Sequence, residues 1–398
     1  MNYNLGDLIN YKCNINIIYL WLMDLNEFRS RYSQVAAKGR YLPYALMSDL
    51  MAQFSELSVH DEGLSVNGQV IRSYTLGSGP VNILMWSQMH GNETTSSKAL
   101  LDLILFVTNV KDSLILDQLK IVIIPMLNPD GADDYTRANA NGVDLNRDAL
   151  DQTQPESQLL LKVFERMRPE YCFNLHDQRP IFGAGSNGQP TALSFLAPSG
   201  DVDKSWNKNR TEARAILGSV AKSLSSGFSE KLARFDDAFN LNCFGDFFQS
   251  RGAATMLFEA GQDSSDYSRD QIRLQYCYAL YVALERISCS SPHEDDANFY
   301  SKMPKNVECF CDILVKNAVT TSGQRVSLGL TYQEQLIDHK IVLKPFISHI
   351  SPSSALFGHR VIFEPIYWKD TFPLLKVGSP VEYLEVNSNK LLLNLTIF

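Results

Sequence analysis

Three separate apolar runs in this chain each end at, or just before, a residue able to bind a metal or move a proton. VNILMWSQM (81–89) leads to His90, YCFNL (171–175) to His176 and ATMLF (254–258) to Glu259. Short apolar runs bounded by turn residues read as buried strands. Further strands are expected at 70–76 and 119–125, and helical patterns at 42–56, 94–107, 156–168, 210–225 and 268–287. Strands alternating with helices predict an α/β fold with a mixed, largely parallel central sheet covered by helices on both faces. Ligands of such sheets bind outside the carboxyl ends of the strands, so the two histidines and the glutamate fall along one edge.

The chain has 398 residues, enough for two or three units at roughly 150 residues each. After 287 the pattern changes: SCSSPHEDDANFYSKMP is polar and aperiodic, and β-rich runs follow at 308–319, 325–332, 341–347, 361–363, 381–386 and 391–398. This suggests an extension over 1–23, a catalytic unit over 24–290, a linker over 291–304 and a small all-β domain over 305–398.

Its 36 basic and 44 acidic residues are interleaved, which argues against a nucleic-acid partner. Seven cysteines without a CxxC pair read as reduced thiols and lean towards a cytoplasmic setting. The apolar stretch 15–23 has Asp7 before it and no small-residue cleavage site after it, so export (periplasmic) is the weaker reading. It is too short to span a membrane.

The seven histidines leave few candidates for a metal site. His90 and Glu93 share the short turn HGNE, where a glycine lets the backbone bend, and both side chains can converge on one ion. Alone, HxxE is a weak signal, and a lone His176 would read as a core imidazole. Together they supply two imidazoles and one carboxylate with an open fourth position, the ligand set of a catalytic zinc. Glu259, closing an apolar run, is costly to bury unless it is used, and beside a metal it would serve as general base. The segment 128–148, rich in turn formers, is expected to be a long ordered loop whose only cations are Arg137 and Arg147. Such cations suit a terminal carboxylate and an oxyanion.

HGNE at 90–93, NPDG at 128–131, RANANGVDLNR at 137–147, the histidine of NLHD and the glutamate of FEAG resemble, in order and spacing, the zinc metallocarboxypeptidase family (carboxypeptidase A-like, M14 peptidases). The resemblance covers about 76–287. It implies that His90, Glu93 and His176 bind one zinc ion and that Glu259 is the base that activates water. It also implies that Arg137 polarises the scissile carbonyl, that Asn146 and Arg147 hold the substrate's carboxylate, and that Asp144 orients the first histidine. The expected reaction is hydrolysis of a peptide bond next to a free C-terminal carboxylate, with a peptide as partner. One departure stands out. The best-known members carry a tyrosine some twenty residues before the base, and this chain has none between Tyr171 and Tyr267.

Two other readings stay open: a zinc deacylase or amidase of the aspartoacylase or γ-glutamyl peptide type, and a non-catalytic metal-binding scaffold. The stretch 177–248 is expected to build the substrate pocket. The β-rich tail is assigned no catalytic role.

Overall fold

The apolar runs become the middle of an eight-stranded sheet. A computed structural model describes residues 23–264, 266–289, 294–369, 372–387 and 389–397; the extension expected over 1–23 lies outside them except for Met23. The strands are β1 (Ser58–Leu64), β2 (Val70–Leu76), β3 (Val81–Trp86), β4 (Leu119–Ile124), β5 (Tyr171–Asp177), β6 (Phe182–Ala184, outside this sheet), β7 (Leu193–Leu196), β8 (Leu232–Arg234) and β9 (Ala254–Ala260). Their order is β1-β2-β4-β3-β5-β9-β7-β8. Parallel pairing joins β4, β3, β5 and β9 at the centre, while β1–β2, β2–β4 and β7–β9 are antiparallel.

Alternation along each strand divides the apolar side chains between two cores. Ile83 and Met85 of β3 face the helices Thr95–Val110 and Asp270–Ser288, packing with Leu100, Ile104 and Leu280. Leu84 and Trp86 face the opposite layer, with Leu160 and Phe164 of helix Pro155–Met167 and Phe248 of helix Phe244–Ser250. Each such side chain contributes about 1.5–3 kcal/mol when fully buried. With both faces dry, the central strands must be apolar almost throughout, which is why they stood out in the sequence. No described helix is long and apolar enough to cross a membrane.

Two local expectations need correction. The NPDG loop is partly helical: Pro129–Asp134 form a turn of helix whose N-cap, Asn128, accepts from Gly131 N at 2.9 Å, with proline at the first helical positions. Within the expected linker, Glu294–Lys302 also form a helix. It packs on helix Lys208–Phe228 so closely that a Cβ on Gly218 would meet the Asp296 carbonyl oxygen at 1.8 Å. Its buried stripe, Asp296, Ala297 and Tyr300, is too short and too polar to show as periodicity.

Beyond it lie β10 (Asn306–Glu308), β11 (Phe310–Val319), β12 (Arg325–Ile337), β13 (Lys340–Ser351) and β14 (Phe357–Ile362). A second sheet runs β14-β11-β12-β13 and ends on Leu395–Ile397. It has its own core, including Ile313, Leu328, Leu330, Ile347 and Trp368. It is not separate from the first unit, because β10 pairs antiparallel with β6.

Candidate metal centre

The carboxyl ends of β3 and β5 bring two histidines together. His90 lies four residues past the end of β3, and His176 is the penultimate residue of β5. The turn carrying His90 is held down by a close backbone approach: a Cβ on Gly91 would lie 1.9 Å from the carbonyl carbon of Gly131. The glycine of HGNE is therefore needed for packing against the glycine of NPDG. The turn itself is closed by Glu93 N donating to His90 O at 3.1 Å.

His90, Glu93 and His176 are all buried, and one ligand atom from each lies within 4.8 Å of the others. His90 Nδ1 is 2.8 Å from Glu93 Oε1, His176 Nδ1 is 2.8 Å from Glu93 Oε2, and the two Nδ1 atoms are 3.2 Å apart. Behind the cluster, His90 Nε2 donates to Asp144 Oδ1 at 3.0 Å. A neutral His90 that donates there turns an Nδ1 lone pair towards a carboxylate and another imidazole. Lone pairs converging in a buried space call for a cation at their centre, and two nitrogens and a carboxylate with an open position fit zinc.

The electrostatics have the same cause. Burial raises the Glu93 carboxyl, but the two histidines reverse this and hold it well below the usual carboxylate range. Burial lowers His90, and Glu93 with the Asp144 hydrogen bond turns the net shift upward. His176, whose Nε2 has no hydrogen-bond partner among the described residues, stays lowered, with burial the largest cause. Asp144 is opposed by burial and pulled far down by its bond to His90 and by the charges of His90 and Arg137.

Glu259 stands across from His176 in the β5–β9 register. Burial, then the charges of Glu93 and Asp177, push its carboxyl well above the ordinary value, and its Oε2 has no hydrogen-bond partner among the described residues. Arg137 binds Asp144 Oδ2 through Nε at 3.0 Å and Glu93 Oε1 through Nη1 at 3.2 Å. Asn146 Oδ1 accepts from Phe244 N at 3.0 Å, and Arg147 Nη1 donates to Asn146 O at 2.7 Å and to Cys243 Sγ at 3.1 Å. One cleft of about 750 Å³ is lined by His90, Glu93, Arg137, Asn146, Arg147, His176 and Glu259 together. Its remaining wall includes Leu196, Pro198, Phe235 and Asp246 from the stretch expected to shape the pocket.

Other parts of the cleft were not anticipated. Asp177 accepts from Thr95 N and Ser96 N at 2.8 and 2.9 Å, fixing the end of β5 to the start of helix Thr95–Val110, where a carboxylate suits the helix dipole. Arg40 and Arg269, both buried, line the same space. So do Thr331, Tyr332, Gln333 and Glu334 of the β-rich tail, to which the sequence assigns no catalytic role.

A mixed α/β sheet thus carries at its strand ends a buried two-histidine, one-carboxylate cluster that could hold a metal ion. Residues 43–296, more than half the chain, match the family model described as zinc carboxypeptidase, and the chain belongs to that family. A "Probable carboxypeptidase 2" of Trichophyton verrucosum is 24% identical over 215 residues, covering 52% of this chain and 39% of the relative. Carboxypeptidase 2 of Trichophyton rubrum is likewise 24% identical, over 52% of this chain and 38% of its own. The chain thus spans about two fifths of the length of these fungal relatives. A solved Shewanella denitrificans structure, named "Putative carboxypeptidase A", shares the fold at TM-score 0.52 and 18% identity, over 63% of this chain and 70% of that one.

Proposed function

We propose that the chain is a zinc-dependent carboxypeptidase that hydrolyses the peptide bond next to a free C-terminal carboxylate. The observation that carries this reading is the meeting of the His90–Glu93–His176 cluster, Glu259, and the pair Asn146 and Arg147 in one cleft.

His90, Glu93 and His176 would hold the zinc ion, which when bound polarises the scissile carbonyl and makes water more acidic. Asp144 keeps the His90 ring in one tautomer with Nδ1 towards the centre. Glu259 takes the proton of the attacking water and returns it to the leaving nitrogen, a task suited to a carboxylate whose proton affinity burial has raised. Arg137, half exposed beside Glu93, donates to the carbonyl oxygen as it gains charge. Arg147 pairs with the substrate's terminal carboxylate, and Asn146 sets the position of Arg147 through its carbonyl oxygen.

The test combines metal analysis of the purified protein with mass spectrometry of peptide libraries and of N-acyl amino acids. Stoichiometric zinc and stepwise loss of C-terminal residues are expected. Release of the acyl acid alone would move the chain to the deacylases, and absence of both metal and turnover would make it a scaffold.

A further inference from the structure

The β-rich C-terminal unit is seated on the segment that directly follows His176. Cys309 N and Phe310 N both donate to Ile181 O, at 3.1 and 2.9 Å, and His359 Nε2 bonds Pro180 O at 2.7 Å. Asn306 binds Gln178 Oε1 at 2.5 Å and accepts from Thr191 Oγ1 at 2.8 Å. With the β10–β6 pairing, these bonds fix the unit in one orientation.

The far end of β12 is fixed separately. Glu334 binds Arg40 Nη1 at 2.7 Å and accepts from Tyr135 Oη at 2.6 Å, and both partners are buried in the first unit. Asp312, buried on β11, accepts from Tyr267 Oη at 2.9 Å and from Tyr332 N at 2.8 Å. An ion pair between the buried Arg40 and the part-buried Glu334, with Glu334 also bonded to Tyr135, gives a defined geometry even where it adds little net stability. The stretch Thr331–Glu334 is therefore a rigid part of the cleft wall.

The location of that wall gives it a meaning. Asn146 and Arg147 lean on Cys243 and Phe244. Glu334 leans on Arg40, and Arg269 reaches Asp177, next to His176, at 3.6 Å. Thr331–Glu334 line the same cleft as Arg147 and the metal cluster, so a peptide that fills the cleft from a carboxylate at Arg147 meets the hairpin. The cleft of about 750 Å³ is half open to solvent and of the size that takes a drug-sized ligand.

We infer that the β12–β13 hairpin is a length-limiting wall, so that the substrate is a short peptide of roughly two to four residues rather than the tail of a long polypeptide. This inference rests on the carboxypeptidase reading above. Gln333, exposed on the cleft side of the hairpin, is the position at which the wall can be trimmed or thickened without disturbing a core.

The experiment measures binding by calorimetry in the full chain carrying Glu259→Gln and zinc. The probes are alanine peptides of about two to eight residues with free carboxylates, ending in Ala, Phe, Lys or Glu. Affinity is expected to fall by about tenfold or more beyond four residues. The ratio of dipeptide to octapeptide affinity should shrink roughly threefold with Gln333→Ala and grow with Gln333→Trp. Glu334→Gln, which releases the Arg40 pair, should shrink it too. Equal affinity at all lengths, or Gln333 variants that move every length alike, would overturn the wall while leaving the carboxypeptidase reading intact. No binding at any length overturns both.

Discussion

Glu259 and His176 are directly paired in the register of β9 and β5, so the proposed base and one metal ligand project from the same level of adjacent parallel strands. Replacing Glu259 by Gln keeps the shape and removes the basicity. Turnover should fall by about 10²–10⁴-fold, while zinc content and peptide affinity persist. Steady-state kinetics beside metal analysis check this, and a variant that kept a large part of its turnover would place the base elsewhere.

Asp144 serves His90 and Arg137 at once, with one oxygen 3.0 Å from each. Asp144→Ala should weaken zinc binding by about 10–100-fold, the usual effect of losing a partner that orients a ligating histidine. Competition against a chelator of known affinity reads this directly. An unchanged zinc affinity would mean that packing alone holds the His90 ring.

Arg147 is exposed and, among the described residues, donates to a neighbouring carbonyl and a thiol, so its guanidinium can turn to a carboxylate with little rearrangement. Arg147→Met should remove about 1.5–3 kcal/mol of charge-assisted binding, seen as a higher KM. The preference for free-acid over amidated peptides should fall with it. Loss of kcat with an unchanged acid-to-amide ratio would count against the carboxylate role.

What could be read in advance follows from where each residue lies. Strands β3, β5 and β9 are buried on both faces and so appear as unbroken apolar runs, and the helices that cover them have whole apolar stripes. β1 was missed because most of SVHDEGL is solvent-exposed, and helix Glu294–Lys302 because its buried side is small. His90, Glu93, His176 and Glu259 could be named together because each follows or ends an apolar run. Arg40, Arg269 and Glu334 could not, since each is one charge in a polar stretch, drawn to the cleft by contacts between segments far apart in the chain, and Asp177, though it ends β5 beside His176, shows its role only through its bonds to Thr95 and Ser96.

Asp102 and Arg273, almost wholly buried, form two bonds of 2.6 Å and connect helix Thr95–Val110 to helix Asp270–Ser288. They also hold the chain before the first strand: Val35 N donates to Asp102 at 2.8 Å, and Arg273 donates to Ala37 O at 2.7 Å. Asp102→Asn leaves a buried guanidinium short of its counter-charge and should cost about 3–5 kcal/mol. Exchanging both residues for apolar ones should not restore the loss, because Val35 N and Ala37 O would then have no partner. Urea unfolding of the single and double variants decides the matter; full recovery in the double variant would show that the pair contributes charge compensation alone.

Glu285 gives the protein a stability that depends on pH. It is 6% exposed on helix Asp270–Ser288, and its Oε2 has no hydrogen-bond partner among the described residues. Burial, then the Asp112 carboxylate, pushes its carboxyl up to about 7. Below about pH 4.3, the usual glutamate value, folded and unfolded chains both carry the proton and Glu285 costs nothing. Between there and pH 7 the unfolded chain ionises while the folded one keeps its proton, so stability falls as pH rises. Above pH 7 both are ionised and the cost levels off at roughly 3–4 kcal/mol. Glu285→Gln keeps the shape without the charge. It should raise the unfolding midpoint at pH 8 and leave it nearly unchanged at pH 4, when both proteins are followed by the same thermal or urea melt. A gain of equal size at both pH values would assign the effect to packing instead of ionisation.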